Sequence, residues 1–382
     1  MMKLIKPFTV ALDTSHLTQW IRDGVSNNKH DRNKAEHFAK GLESNGIFPL
    51  LSLHHVEELC AHENADLVRG RLRFIHRLPL IAWITSDESS KTIGGVTSIM
   101  RSEALAAYRG AGYSLLDVRD TAHPSLIAFG SGRELLGDDP DLWLMLREVF
   151  LEHSRQSRDH IAITRSNVVD LSNKPLSELL AGRLRSPEGV QRQLAVIQGS
   201  YALDIERHGD KRISDPAAVA GAFAARVANM VKRHPDNTAD LVWTALASQG
   251  VEPSDVRPNA TVGEVQDYGM FLQQMKVSTR DTGISFAELK RSVTMQQVPT
   301  WQISMAMRTH APNMKERKGS ELIDTHLACL APYADITFVD KRTHDAFQKA
   351  FRADAELRAV CRQVARAADY SKIPAMLPTR DI

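Results

Sequence analysis

Two short apolar runs at opposite ends of the chain each stop on an aspartate. Near the start, Phe8-Thr9-Val10-Ala11-Leu12 ends on Asp13, and Thr14-Ser15 then supplies the small hydroxyl residues that open a helix. Near the end, the stretch from Lys318 to Cys329 predicts a short helix with Glu321 in its first turn and Asp324 one turn later. A break follows at Ala331-Pro332, and the run that begins at Tyr333 reads as a strand ending on Asp340. A strand that stops on an acid aims its carboxylate at the rim of a sheet. A chain with this grammar at both ends is expected to bring those ends together.

The same passage from strand to acid-bearing helix recurs where Ile47-Phe48-Pro49-Leu50-Leu51-Ser52 leads into Leu53-His54-His55-Val56-Glu57-Glu58-Leu59-Cys60. Residues 78–85 read as a buried strand and residues 93–108 as a helix, so strands alternate with helices as in an α/β layer. From about residue 110 the pattern changes. Turn-rich segments give way to helices with readable starts: Asp215-Pro216 ahead of 217–233, and the capping box Thr261-Val262-Gly263-Glu264 ahead of 265–277. Helical spacing also marks 141–152, 189–207 and 238–248, and strand signals are nearly absent. The expected organisation is an α/β domain made of residues 1–108 plus 296–382, split by a mainly α-helical inserted domain at 109–295. Residues 343–370 read as one long helix whose stripe of Phe347, Phe351, Leu357, Val360 and Val364 belongs in the core.

Charge limits where a polyanion could bind. The chain has 48 basic and 46 acidic side chains, a net charge of +2, so no global field favours nucleic acid and any basic surface is local. Arg69, Arg73 and Arg77 recur at helical spacing and, with Lys315, Arg317 and Lys318, are the candidate phosphate contacts; the plain alternative is a solvated helix face. Three cysteines, Cys60, Cys329 and Cys361, lie far apart without CxxC spacing, which argues against a disulfide framework or a structural zinc site and fits a reducing cytoplasm. Histidines accompany each acid motif: His16, His54, His55, His326 and His344. Imidazole suits a softer metal, yet no HExxH or comparable spacing appears among the 15 histidines. The apolar run after Lys3 and Lys6 ends on Asp13, too short for a signal peptide, and no membrane span is read.

Taken together, the Asp13, Ser52-to-Leu59, Asp324 and Tyr333-to-Asp340 motifs resemble the PIN-domain family of metal-dependent nucleases, over about residues 5–108 and 296–350. The resemblance implies a three-layer α/β/α domain with a short parallel sheet. It also implies one or two Mg²⁺ or Mn²⁺ ions held by Asp13, Glu58, Asp324 and Asp340, with Ser15 and Glu321 as outer neighbours. Glu57 remains an alternative to Glu58. The implied activity is endonucleolytic cleavage of RNA, single-stranded before duplex, by a metal-activated water, with the helical insertion choosing the substrate, a protein partner or a second copy. The alternatives are a scaffold with a decayed metal site and a hydrolase of small phosphoesters using histidine and carboxylate ligands. The pattern departs from the family at Phe338, where a Thr or Ser is usual. Thr337 is one residue away and in a strand points to the opposite face.

Overall fold

The computed structural model of the chain describes residues 7–378 except 88, 90, 111, 167, 183–186, 234–237 and 312–314. Its strands are β1 (Phe8–Ala11), β2 (Ile47–Leu51), β3 (Ile81–Ile84), β4 (Ile127–Gly130), β5 (Ile336–Phe338) and β6 (Gln363–Ala365). They form a six-stranded sheet in the order β4-β3-β2-β1-β5-β6, parallel throughout except for β4. β1 lies between strands from opposite ends of the chain, pairing Phe8 with Ile47 on one side and Val10 with Ile336 on the other. From β1 the chain winds outward through β2 to β3, and only later returns to place β5 and β6 on the other side. The direction of winding therefore reverses between β1 and β5. In an open parallel sheet this reversal leaves a crevice beyond the carboxyl ends of the strands, which is where such folds hold their ligands.

The strands are apolar runs because both sheet faces are covered. Val10, Leu12, Ile336 and Phe338 share a core with Trp20, Phe38, Leu72 and Trp83. The alternate positions Ala11, Ile84 and Thr337 are buried as well. A separate cluster gathers Ile303, Met307, Val339, Phe347 and Val360. Polar ties lock the distant ends together. Asp335 accepts the Thr9 backbone N–H at 2.8 Å and pairs with Arg362, joining β1, β5 and the start of β6. Tyr370 donates its hydroxyl to buried Asp23 at 2.9 Å.

The chain divides into two compact units, the first Met1–Ser154, Ala287–Pro312 and Ile323–Ile382, the second Arg155–Phe286 and Asn313–Leu322. The division therefore falls well beyond residue 108, where the composition changes. Residues 109–154 stay with the sheet because β4 extends it antiparallel to β3, and because the helix Leu115–Leu126 packs on the helix Val96–Arg109. The four-residue β4 is an edge strand, and its half-exposed IAFG run carries little strand signal. Residues 343–370 are not one helix. The helix Lys341–Ala353 ends at Asp354, whose side chain accepts from Leu357 N at 2.9 Å and caps the separate helix Ala355–Val360, with β6 following. No helix among the described residues is long and apolar enough to cross a membrane.

The second unit is helical, and among its described residues none forms a named strand. Its helices include Pro187–His208, Pro216–Arg233, Thr238–Ser248 and Val262–Ser278. The start signals operate as read: Asp215 accepts from Ala218 N at 2.8 Å, and Thr261 and Glu264 form a reciprocal capping box.

Candidate functional site

Each of the four acids is placed by a local device. Asp13 directly precedes the helix Thr14–Gly24 and accepts from Ser15 N at 2.7 Å. Ser15 is therefore a neighbour of this carboxylate through its backbone. Asp340 does the same for the helix Lys341–Ala353, accepting from Thr343 N at 2.7 Å. Both carboxylates are thus held by a helix N-terminus just beyond the carboxyl ends of β1 and β5, which are paired neighbours in the sheet. Glu58 lies on the helix Leu53–Cys60 that follows β2, and Asp324 on the helix Ser320–Ala328 that precedes β5.

Asp324 lies within electrostatic range of the other three acids. The Asp324 carboxyl is pushed up to about 8, first by burial and then by the charge of Asp340; Arg342 opposes the shift, while Asp13 and Glu58 add to it. Burial also raises Glu58, drawn partly back by Thr14 and raised further by Asp13 and Glu57. Arg342 donates to Asp324 Oδ2 at 3.0 Å. Glu57 takes a different path. Burial alone would raise its carboxyl, but hydrogen bonds to His54 and His153 outweigh that and lower it, with contacts of 3.4 Å and 3.2 Å. Glu57 therefore serves histidines, and Glu58 is the acid of this pair that interacts with both Asp13 and Asp324.

The histidines brace the site. His55 is fully buried, with Nε2 2.8 Å from Leu12 O and Nδ1 accepting from Ser52 N at 3.0 Å, so the proton is on Nε2. Burial pushes its pKa down to about 4, and the neutral ring fixes the end of β1 against the start of the next helix, beside Asp13. The sequence signal for this role is the Ser52-x-x-His55 spacing of a capping box. His54 accepts from Val96 N at 3.1 Å, and its ring lies 4.4 Å from that of His326. His326 is held neutral, its pKa lowered to about 3 by burial and by His54.

An all-oxygen set of carboxylates suits a hard divalent cation. Mg²⁺ commonly uses one or two carboxylates and keeps several waters, so a closed protein cage is not required. Among the described residues, no group of three or more His, Cys, Asp or Glu side chains is placed so that it could hold a metal ion. One oxygen each of Asp13 and Asp340 is engaged by a helix cap and one of Asp324 by Arg342, so a cation would enter by rearranging those contacts. The donor chemistry alone suits such a cation.

Other expected site residues are placed differently. Arg69 and Arg73 both pair with Asp141 at 3.1 Å, and Arg69 also pairs with Asp66. Those two arginines join the helix Ala65–His76 to the 3₁₀ segment Pro140–Leu146, whereas Arg77 is exposed at the helix end. Arg317 is buried in the second unit, donating to Arg165 O, Asp204 O and the Asp204 carboxylate. It is a structural cation, and its spacing in sequence with Lys315 and Lys318, both exposed, carries no sign of that. Glu321 belongs to the second unit and stands 3.9 Å from Arg165. Phe338 is buried in the first core, edge-on to His16, and Thr337 is buried on the opposite face. Arg342 escaped the sequence reading because nothing local links it to Asp324. The three cysteines are buried, as core residues are. Compared with known proteins, the chain matches no family model, no curated protein and no solved structure.

Proposed function

We propose that the first unit is a PIN-type, divalent-metal-dependent endonuclease acting on RNA, single strands before duplexes, and that Asp13, Glu58, Asp324 and Asp340 hold Mg²⁺ or Mn²⁺. The observation that carries this reading is the crowding of like charge on Asp324 by Asp340, Asp13 and Glu58 at the carboxyl edge of the sheet. Perturbed acids cluster at functional sites, and oxygen donors of this kind suit a divalent cation. When bound, the ion would activate a water and neutralise charge developing on the phosphodiester. Asp13 and Asp340 contribute carboxylates already oriented by their caps, and neutral His55 fixes the backbone beside Asp13. RNA as substrate follows from the resemblance, and the helical second unit is the proposed selector of substrate or partner. The scaffold reading draws on the grip of Arg342 on Asp324.

The test is cleavage of a mixed set of labelled RNAs by the full chain in Mn²⁺. Asp13→Asn and Asp324→Asn should each lower cleavage by about a hundredfold or more while the protein stays folded by thermal melting. EDTA should reproduce that loss, and Asp340→Asn should cost less. Metal-dependent cleavage by folded Asp13→Asn excludes the site, and a wild type inert on every RNA favours the scaffold.

A further inference from the structure

Two stretches of the second unit meet although they lie far apart in the chain. His208 Nδ1 stands 3.2 Å from Lys315 O, 107 residues away, and Arg317 N donates to His208 O at 2.7 Å. Gly319 N donates to Asp210 Oδ2 at 2.9 Å, and Lys211 N reaches Glu316 Oε1 at 3.4 Å. Gly319 also lies so close to Arg158 that a Cβ there would have no room, which brings in a third element, the helix Arg147–Thr164.

The charges at this junction are sorted by sign. From 207 to 212 and from 315 to 319, every exposed ionisable side chain is a base: Arg207, His208, Lys211, Arg212, Lys315 and Lys318. The acids of the same stretches turn inward. Asp210, with 3% of its side chain exposed, takes Gly319 N and Arg212, and half-buried Glu316 takes Lys211 N. Arg317 alone among the cations points into the unit, where Asp204 holds it, and its neighbours Lys315 and Lys318 face outward. Burial, then the charges of Arg212 and Arg155, lower the Arg158 guanidinium, so further cations border the face; Glu206 and Asp159 are the acids nearby.

A surface whose exposed charges are all positive attracts polyanions even in a chain of net charge +2. Among the described residues of the second unit, the large exposed apolar side chains are Val169, Val196, Leu203 and Val277, and none is aromatic. The face therefore has no platform on which bases could stack, and its contacts are to phosphates. We infer that the face built from residues 207–212 and 315–319, with Arg158 beside it, binds the phosphodiester backbone of RNA without regard to sequence. The choice of RNA among polyanions rests on the nuclease reading above; the sorting of charge does not.

Fluorescence anisotropy of a labelled single-stranded RNA of mixed sequence, with the full chain in EDTA, tests binding apart from metal-dependent cleavage. The combined variant Lys211→Ala, Lys315→Ala, Lys318→Ala should bind about tenfold or more weakly at low salt, and the slope of log affinity against log salt should fall by about 2, as three lost contacts to a single strand require. Arginine at the same three positions keeps the charge and should stay near wild type. So should the combined variant Lys29→Ala, Lys40→Ala, Arg352→Ala, which removes equal charge from exposed positions of the first unit. Wild-type affinity in the second-unit alanine variant, or an equal loss in the first-unit control, overturns the inference whatever the cleavage assay shows. Wild type that binds phosphatidylserine vesicles and no RNA overturns it as well. Loss confined to the second-unit alanine variant, in a protein that cleaves no RNA in Mn²⁺, leaves this surface standing and removes the nuclease reading.

Discussion

Glu103, fully buried, and Asp324, with 24% of its side chain exposed, are both acids of the first unit whose carboxyls are raised chiefly by desolvation, and their neighbours differ completely. Glu103 is surrounded by neutral donors. It accepts from Thr300 N at 3.1 and 3.0 Å to its two oxygens, from Thr300 Oγ1 at 2.7 Å and from the Tyr333 hydroxyl at 2.7 Å. Burial pushes it up to about 7, while Tyr333 and Thr300 pull it back down. Asp324 has three other acids pushing it further up and Arg342 opposing them. The first arrangement is a satisfied knot that ties the helices Val96–Arg109 and Pro299–His310 to Tyr333. The second keeps like charges near one another, with Arg342 as the opposing cation. A perturbed acid is therefore a pointer to function only when its neighbours fail to settle it.

The largest effect is expected at Glu103. Glu103→Leu would leave the Thr300 N–H, the Thr300 hydroxyl and the Tyr333 hydroxyl without their acceptor, at a cost of about 3 kcal/mol. Glu103→Gln keeps one acceptor oxygen and should cost about 1 kcal/mol. Urea unfolding gives both values, and a neutral Glu103→Leu would show that the knot is not structural.

An effect of opposite sign is expected at Asp324. Its pKa is raised, so between about pH 4 and about pH 8 native Asp324 holds a proton that the unfolded chain has released. Stability from this group is present below that window and is lost as pH rises through it. Asp324→Asn cannot titrate and should gain on wild type progressively as pH rises across the window in EDTA. Glu103 titrates in both proteins and cancels in the difference. An Asp324→Asn difference that does not change between pH 5 and pH 8 would contradict the crowding.

Much of this frame could be read in the sequence, because apolar runs ending on Asp13 and near Asp340 encode strands and caps locally. The helix starts at Asp215 and Thr261 were legible for the same reason. What escaped depends on partners distant in the chain. Asp141 takes Arg69 and Arg73, Asp204 takes Arg317, and Asp324 takes Arg342, and no periodicity announces such pairs. Strand β4 escaped because an edge strand of four residues need not be apolar on both faces. The break at Asp354 escaped because the apolar stripe continues in register across it into the second helix.

A crystal soaked in Mn²⁺ and read by anomalous scattering tests directly the proposal that Asp13, Glu58, Asp324 and Asp340 form one divalent-cation site. The expected result is a peak about 2.1–2.4 Å from carboxylate oxygens of Asp13 and Asp324. The Arg342 guanidinium should then have moved off Asp324. A peak at His54, Glu57 and His153 instead, or an Arg342 still bonded to Asp324 with no ion beside it at saturating Mn²⁺, would contradict it.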